Sequence, residues 1–313
     1  MKNPNERIAL FLKGAAMGIA EVIPGVSGGT IAFITGIYER LLDSIKNVLG
    51  PEVFRAWKSG GARGVWQAVD GEFLLFLLLG MGTGLVSGVF GVSHLLEHYP
   101  QLLWAFFFGL IIASSLFVGR QVKKWNAMSI FSLLAGTAIA LWYTLAVPGH
   151  GTDALWFVFI SGIIAISALM LPGISGSFML VLMGMYTLII PSLKSALTSF
   201  DLQSVTIIGT FGVGCLVGLA TFSRVLTWLF RHYHDATMAV LTGFMVGSLN
   251  KIWPWKKVLE YRINRHGEPE PLIERSVWPW NFEGEPYLAG VILLVVVGIV
   301  LVYFLEKAGT KQE

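Results

Sequence analysis

The chain has 313 residues, 55% of them hydrophobic and 13% charged, with a formal net charge of +3. A mean hydropathy of +0.69 is too high for a soluble domain and reads as an integral membrane protein. Lys and Arg form no dense basic block with interleaved aromatics, which sets nucleic acid aside, and the single cysteine, Cys215, excludes both a disulfide framework and a Cys-based metal site.

The first apolar run contains Lys13 and Glu21 and lacks a small-x-small cleavage site, so it is expected to be retained rather than removed as a signal peptide. It is interrupted at "EVIPGVSGGT", residues 21–30, with arms at 8–23 and 30–38. Stretches near the ~20 residues needed to cross hydrocarbon follow at 72–93, 101–119 and 127–147. A second interruption, "LPGISGSF" at 171–178, lies between arms at 155–171 and 178–190. Spans at 205–230 and 287–305 follow, with a shorter candidate at 236–250 and a long loop at 251–286. At ~1.5 Å per residue neither outgoing arm crosses a core ~30 Å thick, so each break is expected to form a re-entrant hairpin.

The two interruptions belong to a repeat. An offset of 148 superposes Pro24 on Pro172, Gly25 on Gly173, Ser27 on Ser175, Gly28 on Gly176, Gly36 on Gly184 and Tyr38 on Tyr186. Further on, an offset of 134 matches Gly80 and Gly84 with Gly214 and Gly218, His98-Tyr99 with His232-Tyr233, and Gly109 with Gly243; a longer first loop accounts for the change of offset. The expected fold is an all-α polytopic membrane protein, one domain over 1–313, built from repeats 8–147 and 154–305, each a re-entrant helical hairpin plus three transmembrane helices. Three crossings are an odd number, so the second repeat is expected to be inverted. With both termini inside, 14 of the 22 Lys and Arg residues face the inner side and seven the outer, leaving Arg224 in a span. Six of those seven sit in loop 251–286, which also carries six glutamates and whose length weakens its weight in the count.

Irregular backbone inside hydrocarbon is tolerated only where protein or a wet cavity satisfies it. Pro24 and Pro172 mark the breaks, and Gly25, Gly28 and Gly29 let a ligand approach exposed N–H groups. Helices starting near Gly29-Thr30 and Ser177-Phe178 would aim their positive ends at one place, which predicts an anion site near the midplane of an alternating-access transporter. Simple kinking by Pro and Gly is the plainer reading; the duplicated serine and the short arms argue against it. Glu21 is costly in a membrane, and its counterpart is Leu169; it is expected to bind a coupling proton or sodium ion, or to pair with a cation such as Arg224. Arg224 could instead snorkel to the inner interface. The Gly-x-x-x-Gly pairs are expected to let helices pack closely, and Trp253, Trp255, Trp278 and Trp280 to anchor the long loop at the interface, or less simply to form a lid. His94, His98, His232 and His234 lack zinc-site spacing, and neither a metal nor a cofactor is expected.

"GAAMGIAEVIPGVSGGTIAFITGIYERLLDSI" (14–45) with "ALMLPGISGSFMLVLMGMY" (168–186) resembles the bacterial polyprenyl-phosphate transporter family, formerly a membrane domain of unknown function, over nearly the whole chain. The resemblance implies the return of undecaprenyl phosphate, the lipid carrier of cell-wall sugars, from the outer to the inner leaflet of the cytoplasmic membrane. Composition and spacing by themselves imply only an anion in the membrane. Under this resemblance the phosphate would meet Gly25, Ser27, Gly28, Gly29, Thr30, Gly173, Ser175, Gly176 and Ser177, with Arg224 or Arg40 as counter-charge at one stage, while the isoprenoid tail stays in lipid. An enzymatic alternative also exists, because the P-G-x-S stretch is similar to the P-G-x-S-R-S-x-x-T motif of undecaprenyl-pyrophosphate phosphatases. Here Gly28 and Gly176 stand in place of the arginine, and no E-x-x-x-E companion is present, since Met17 and Gly25 flank Glu21 at four residues. Without that cation phosphoryl transfer lacks its electrostatic support. A permease for a small soluble anion would share the same site.

Overall fold

The computed structural model describes residues 4–22, 26–146, 149, 151–263 and 269–309. Helix α1 (Pro4–Glu21) runs into the first break, after which α2 (Gly28–Ile34) is seven residues long. Gly36 then takes a φ of +70° and the Ile37 N–H donates to the Ala32 carbonyl, which ends α2 and turns the chain into α3 (Tyr38–Val48). The expected arm at 30–38 therefore stops short, because a residue with positive φ cannot continue a right-handed helix. Residues taken above for a long loop hold α3 and then α4 (Pro51–Ala68), kinked at Gly61, with none of its residues buried and with Phe54 and Trp57 exposed.

Three long apolar helices follow: α5 (Gly71–His98), α6 (Pro100–Arg120) and α7 (Ala127–Leu145). Helix α8 (Leu155–Met170) leads to the second break, and α9 (Gly176–Leu182) repeats α2 at an offset of 148 residues with the same length. Gly184, at φ +65°, and a bond from the Met185 N–H to the Leu180 carbonyl repeat the stop, so the chain bends by 119° into α10 (Tyr186–Thr198) instead of extending one arm over 178–190. Helices α11 (Leu202–His232), α12 (His234–Ser248) and α13 (Leu288–Gly309) complete the bundle. Among the described residues five helices, α5, α6, α7, α11 and α13, contain stretches long and apolar enough to cross a membrane, and the bent pair α9–α10 passes the same test together. The 15 residues of α12 fall short of it.

Helix pairing follows small residues. A Cβ on Gly80 or Gly84 would overlap the Phe11 or Ala15 carbonyl of α1, and one on Gly214 or Gly218 would meet the Phe159 or Ile163 carbonyl of α8. Thus α1 lies along α5 as α8 lies along α11, the close approach expected of such glycine pairs. Gly109 of α6 abuts Val295 of α13, and Gly243 of α12 abuts Leu133 of α7. The main core is built chiefly from α1, α2, α3, α5, α6, α11 and α12, with Met170 of α8 and Val302 of α13 joining it, and the apolar residues on the outside of α5, α7 and α13 face what would be lipid.

Loop 251–286 contains a feature the sequence reading did not anticipate, an antiparallel hairpin of β1 (Lys256–Ile263) and β2 (Pro269–Ser276). Strand alternation turns Lys256, Val258, Glu274 and Ser276 toward the protein and leaves Lys257, Leu259 and Arg275 exposed. Trp253 and Trp255 turn inward, donating to the carbonyls of Val277 at 2.8 Å and Pro286 at 2.9 Å, and Trp255 is buried; Trp278 and Trp280 stack on each other and stay exposed. Only the second tryptophan pair has the exposure that interfacial anchors need.

Candidate functional site

The sequence forces polar backbone into the apolar core at both breaks, and the structure supplies partners from the other half of the chain. Pro24 and Gly25 lie outside the described residues. Ser27 is the N-cap of α2: its Oγ accepts from the Gly29 N–H at 3.1 Å and donates to the Leu169 carbonyl at the end of α8, also at 3.1 Å. Thr30, completely buried, accepts the Gly173 N–H through Oγ1 at 3.1 Å. Tyr38 Oη donates to the Met170 carbonyl at 2.7 Å. Three side chains of the first half thus satisfy backbone of the second break.

On the other side, Pro172, Gly173 and Ser175 are buried, and Ser175 is the N-cap of α9. Its Oγ lies 3.0 Å from Ser177 Oγ and accepts a long bond from the Phe178 N–H at 3.5 Å, while its carbonyl accepts from Tyr143 Oη at 2.8 Å. Gly176 opens α9 beneath the Ala165 carbonyl, and Ser177 is exposed.

The charged groups are distributed unequally. Glu21 reaches across the first break, and its Oε1 accepts the Gly28 N–H at 2.6 Å, a short bond on the first turn of α2. A carboxyl oxygen therefore already occupies the helix start where the spacing places a bound anion, and Leu169 gives the second half no equivalent. Lys13 Nζ donates to the Thr35 carbonyl, the C-cap of α2, at 2.7 Å, so a cation holds the opposite end of the same short helix. Arg224 is used elsewhere: Nη2 donates to the Leu49 carbonyl at the end of α3 at 2.9 Å, and Nη1 to the Ala220 carbonyl of its own helix. Arg40 pairs with Asp70 at 2.6 Å and stacks over Phe73 at 4.4 Å.

Of the residues singled out in the sequence, Glu21, Ser27, Gly28, Gly29, Thr30, Gly173, Ser175, Gly176 and Ser177 sit at the two junctions, and cross-half bonds tie these together. Arg40 and Arg224 are engaged with groups away from both breaks. Sequence reasoning passed over Lys13, Tyr38 and Tyr143. A lysine within an apolar run was the signal for the first, and the Tyr38–Tyr186 match for the second; nothing in the pattern pointed to Tyr143. Chemically, the junction brings together N–H and O–H donors, of which those of Gly28, Gly29, Gly173, Ser27 and Tyr38 bond to side-chain or carbonyl oxygens, partners that a more strongly charged oxygen can displace.

Two broken helices joined through their polar caps inside a multi-pass bundle are the arrangement expected of a membrane transporter. The comparison with known proteins makes this specific: the model of the family described as undecaprenyl phosphate translocase-like matches residues 17–270, and the chain belongs to that family. It is 43% identical over 310 residues, 97% of each chain, to the polyprenyl-phosphate transporter of Vibrio cholerae serotype O1 (strain ATCC 39315 / El Tor Inaba N16961). It is 32% identical over 258 residues to the polyprenyl-phosphate transporter of Staphylococcus aureus (strain NCTC 8325 / PS 47), covering 78% of this chain and 85% of that one. No solved structure matches the chain.

Proposed function

We propose that this protein transports polyprenyl phosphate, specifically undecaprenyl phosphate from the outer to the inner leaflet of the bacterial cytoplasmic membrane, with both termini in the cytoplasm. The observation that carries the reading is the seam at the breaks, where Ser27, Thr30 and Tyr38 bind the backbone of residues 169–173. Leaving hydrogen-bonding groups unpaired in hydrocarbon is costly, and so is moving a phosphate monoester through it without replacing its water. A seam whose donors can pass from each other to the phosphate oxygens avoids both costs. The phosphate would take donors from Gly25, Ser27, Gly28, Gly29, Thr30, Gly173, Ser175, Gly176 and Ser177, and the tail would remain in lipid. Arg40 and Arg224, bound elsewhere in this conformation, would meet the head group on the cytoplasmic side of the cycle.

The architecture that would deliver alternating access is a pair of inverted repeats, 8–147 and 154–305, within one domain. Support comes from the equal lengths and constant spacing of α2 and α9, the matched stops at Gly36 and Gly184, and the equivalent contacts of Gly80 with Phe11 and Gly214 with Phe159. The contact of Gly109 with Val295 is answered by that of Gly243 with Leu133, the reciprocal pattern a two-fold relation generates. Glu21 would couple transport to a proton or a sodium ion: its carboxylate must leave the Gly28 N–H before a phosphate oxygen can take it, and either cation would compensate the released charge.

The test is reconstitution in liposomes containing a labelled polyprenyl phosphate, with leaflet exchange and phosphate release measured together under proton and sodium gradients. Exchange without release supports the reading. Uptake of a soluble anion without lipid exchange would instead indicate the permease, and release of phosphate the enzyme.

A further inference from the structure

Two lysines of the long loop are unaccounted for by the breaks. Lys251 Nζ and Lys256 Nζ both approach Glu274 Oε2, at 3.7 and 3.5 Å, and among the described residues Glu274 is the one carboxylate with which either pairs. Two ammonium groups sharing one carboxylate leave a positive charge in excess. They do so out of bulk water, with side-chain exposures of 18% for Lys251 and 8% for Lys256. The remaining faces of both are covered by rings: Lys251 lies 4.3 Å from the Phe178 centroid and Lys256 3.8 Å from that of Trp104. Burial lowers both lysines from their ordinary value, Lys256 to about 8. Truncating such a cluster is normally destabilising and replacing it with apolar residues often is not, so a buried excess charge without an anion of its own suggests a use.

Position supplies the use. Phe178 is the third residue of α9, its N–H is capped by Ser175 Oγ, and its ring packs edge-on at 5.0 Å against Tyr143, which holds the Ser175 carbonyl. Lys251 is therefore one aromatic ring away from the second break. Asn250 and Ser276 fix the base of the hairpin, Ser276 Oγ donating to the Asn250 carbonyl at 3.2 Å and Asn250 Nδ2 to Thr144 Oγ1 at 3.0 Å. The charge complements one anion of about −1 to −2, the charge of a phosphate monoester.

We propose that Lys251, Lys256 and Glu274 form a capture site for a phosphate monoester at the outer mouth, where the arriving phosphate displaces Glu274 from the two ammonium groups and is then passed beside Phe178 to the second break. Glu274 acts as an internal substitute for the ligand that offsets part of the cluster's positive charge when it is empty. This rests on the transport reading for its place in the cycle, but binding at the cluster can be measured independently of transport.

The experiment uses the full chain in lipid nanodiscs, with binding of farnesyl phosphate and of inorganic phosphate measured for the unaltered protein and for Lys251→Gln, Lys256→Gln, Lys256→Arg, Glu274→Gln and the exposed control Lys257→Gln. Each glutamine at a lysine is expected to weaken farnesyl phosphate at least about tenfold, as loss of one member of a buried charge pair does. Lys256→Arg should keep most of the affinity and Lys257→Gln all of it. Glu274→Gln should tighten binding, since it removes the competitor; a merely structural cluster would lose affinity or stability there as it does with the lysine variants. Inorganic phosphate competing as strongly as the lipid would assign recognition to the phosphate alone, whereas weak competition would add the tail. Unchanged affinity in both lysine variants, or weaker binding in Glu274→Gln, overturns the capture site. In parallel liposome assays, exchange by the unaltered protein with unchanged rates in the lysine variants would leave transport standing and remove the capture site, while tight, lysine-dependent binding without exchange would do the reverse.

Discussion

At the scale of single residues, the ionisable groups beside the first break are matched to backbone ends. Glu21 holds the start of α2 and Lys13 its end, so a helix too short to be stable alone is pinned by side-chain hydrogen bonds at its two termini. Replacing Glu21 with Gln retains an acceptor for the Gly28 N–H but removes the charge. Leaflet exchange is then expected to persist while losing its dependence on pH or sodium, which rate measurements across gradients of each ion would establish; an unchanged dependence assigns coupling elsewhere. At Lys256 the sign follows from its lowered folded value. The folded chain binds this proton less tightly than the unfolded chain, so the strain of burying the charge is relieved as pH rises from about 8 toward the ordinary lysine value of 10.5. Phosphate binding should move the opposite way. It is expected to fall as pH rises through about 8, where Lys256 gives up its charge, and to be restored over that range by Lys256→Arg, as a titration of farnesyl phosphate affinity would reveal. Glu274 and Lys251, the charged groups facing Lys256, act in opposite directions on its proton.

At the scale of elements, the short helices depend on their stops. A Cβ on Gly36 would meet nothing within 4 Å, so Gly36→Ala tests the left-handed conformation alone, without a steric clash. It is expected to cost about 1–2 kcal/mol, and Gly36→Asn less, in thermal unfolding of the detergent-solubilised protein; equal stability of both variants would contradict the role given to this turn. The long spans and both breaks were legible because hydrophobic length and a Pro-Gly-x-Ser interruption are local signals. The stop of α2 was written in the sequence as well, in the Gly36–Gly184 match, yet positive φ was not read from it. Helix α4 and the β-hairpin were not legible as elements. The first has no buried face to impose a periodicity, and the second has an alternation, Lys256-Val258 inward and Lys257-Leu259 outward, that charged residues obscure in a hydropathy profile. Arg224 was also ambiguous, since a cation inside a span can serve a ligand, an acid or a carbonyl, and only the fold brings the end of α3 to it.

At the scale of the molecule, the two halves meet through cross-half hydrogen bonds at the breaks, and the proposed orientation puts the long loop on the outer side. In intact cells, with Cys215 replaced by Ala, a membrane-impermeant maleimide should label Trp280→Cys and leave Arg63→Cys unlabelled until the membrane is opened; the reverse pattern would invert the orientation. Capping serines contribute about 1 kcal/mol each to helix stability, so a protein lacking both is expected to fold while losing the donors it would lend to a phosphate. The most direct test of the central claim is therefore leaflet exchange of a labelled polyprenyl phosphate in liposomes by the double variant Ser27→Ala, Ser175→Ala, beside the unaltered protein. Exchange lost in the variant, with its melting temperature nearly kept and no phosphate released by either protein, is the predicted result. Exchange at the unaltered rate in the double variant would contradict the claim that the two breaks carry the phosphate.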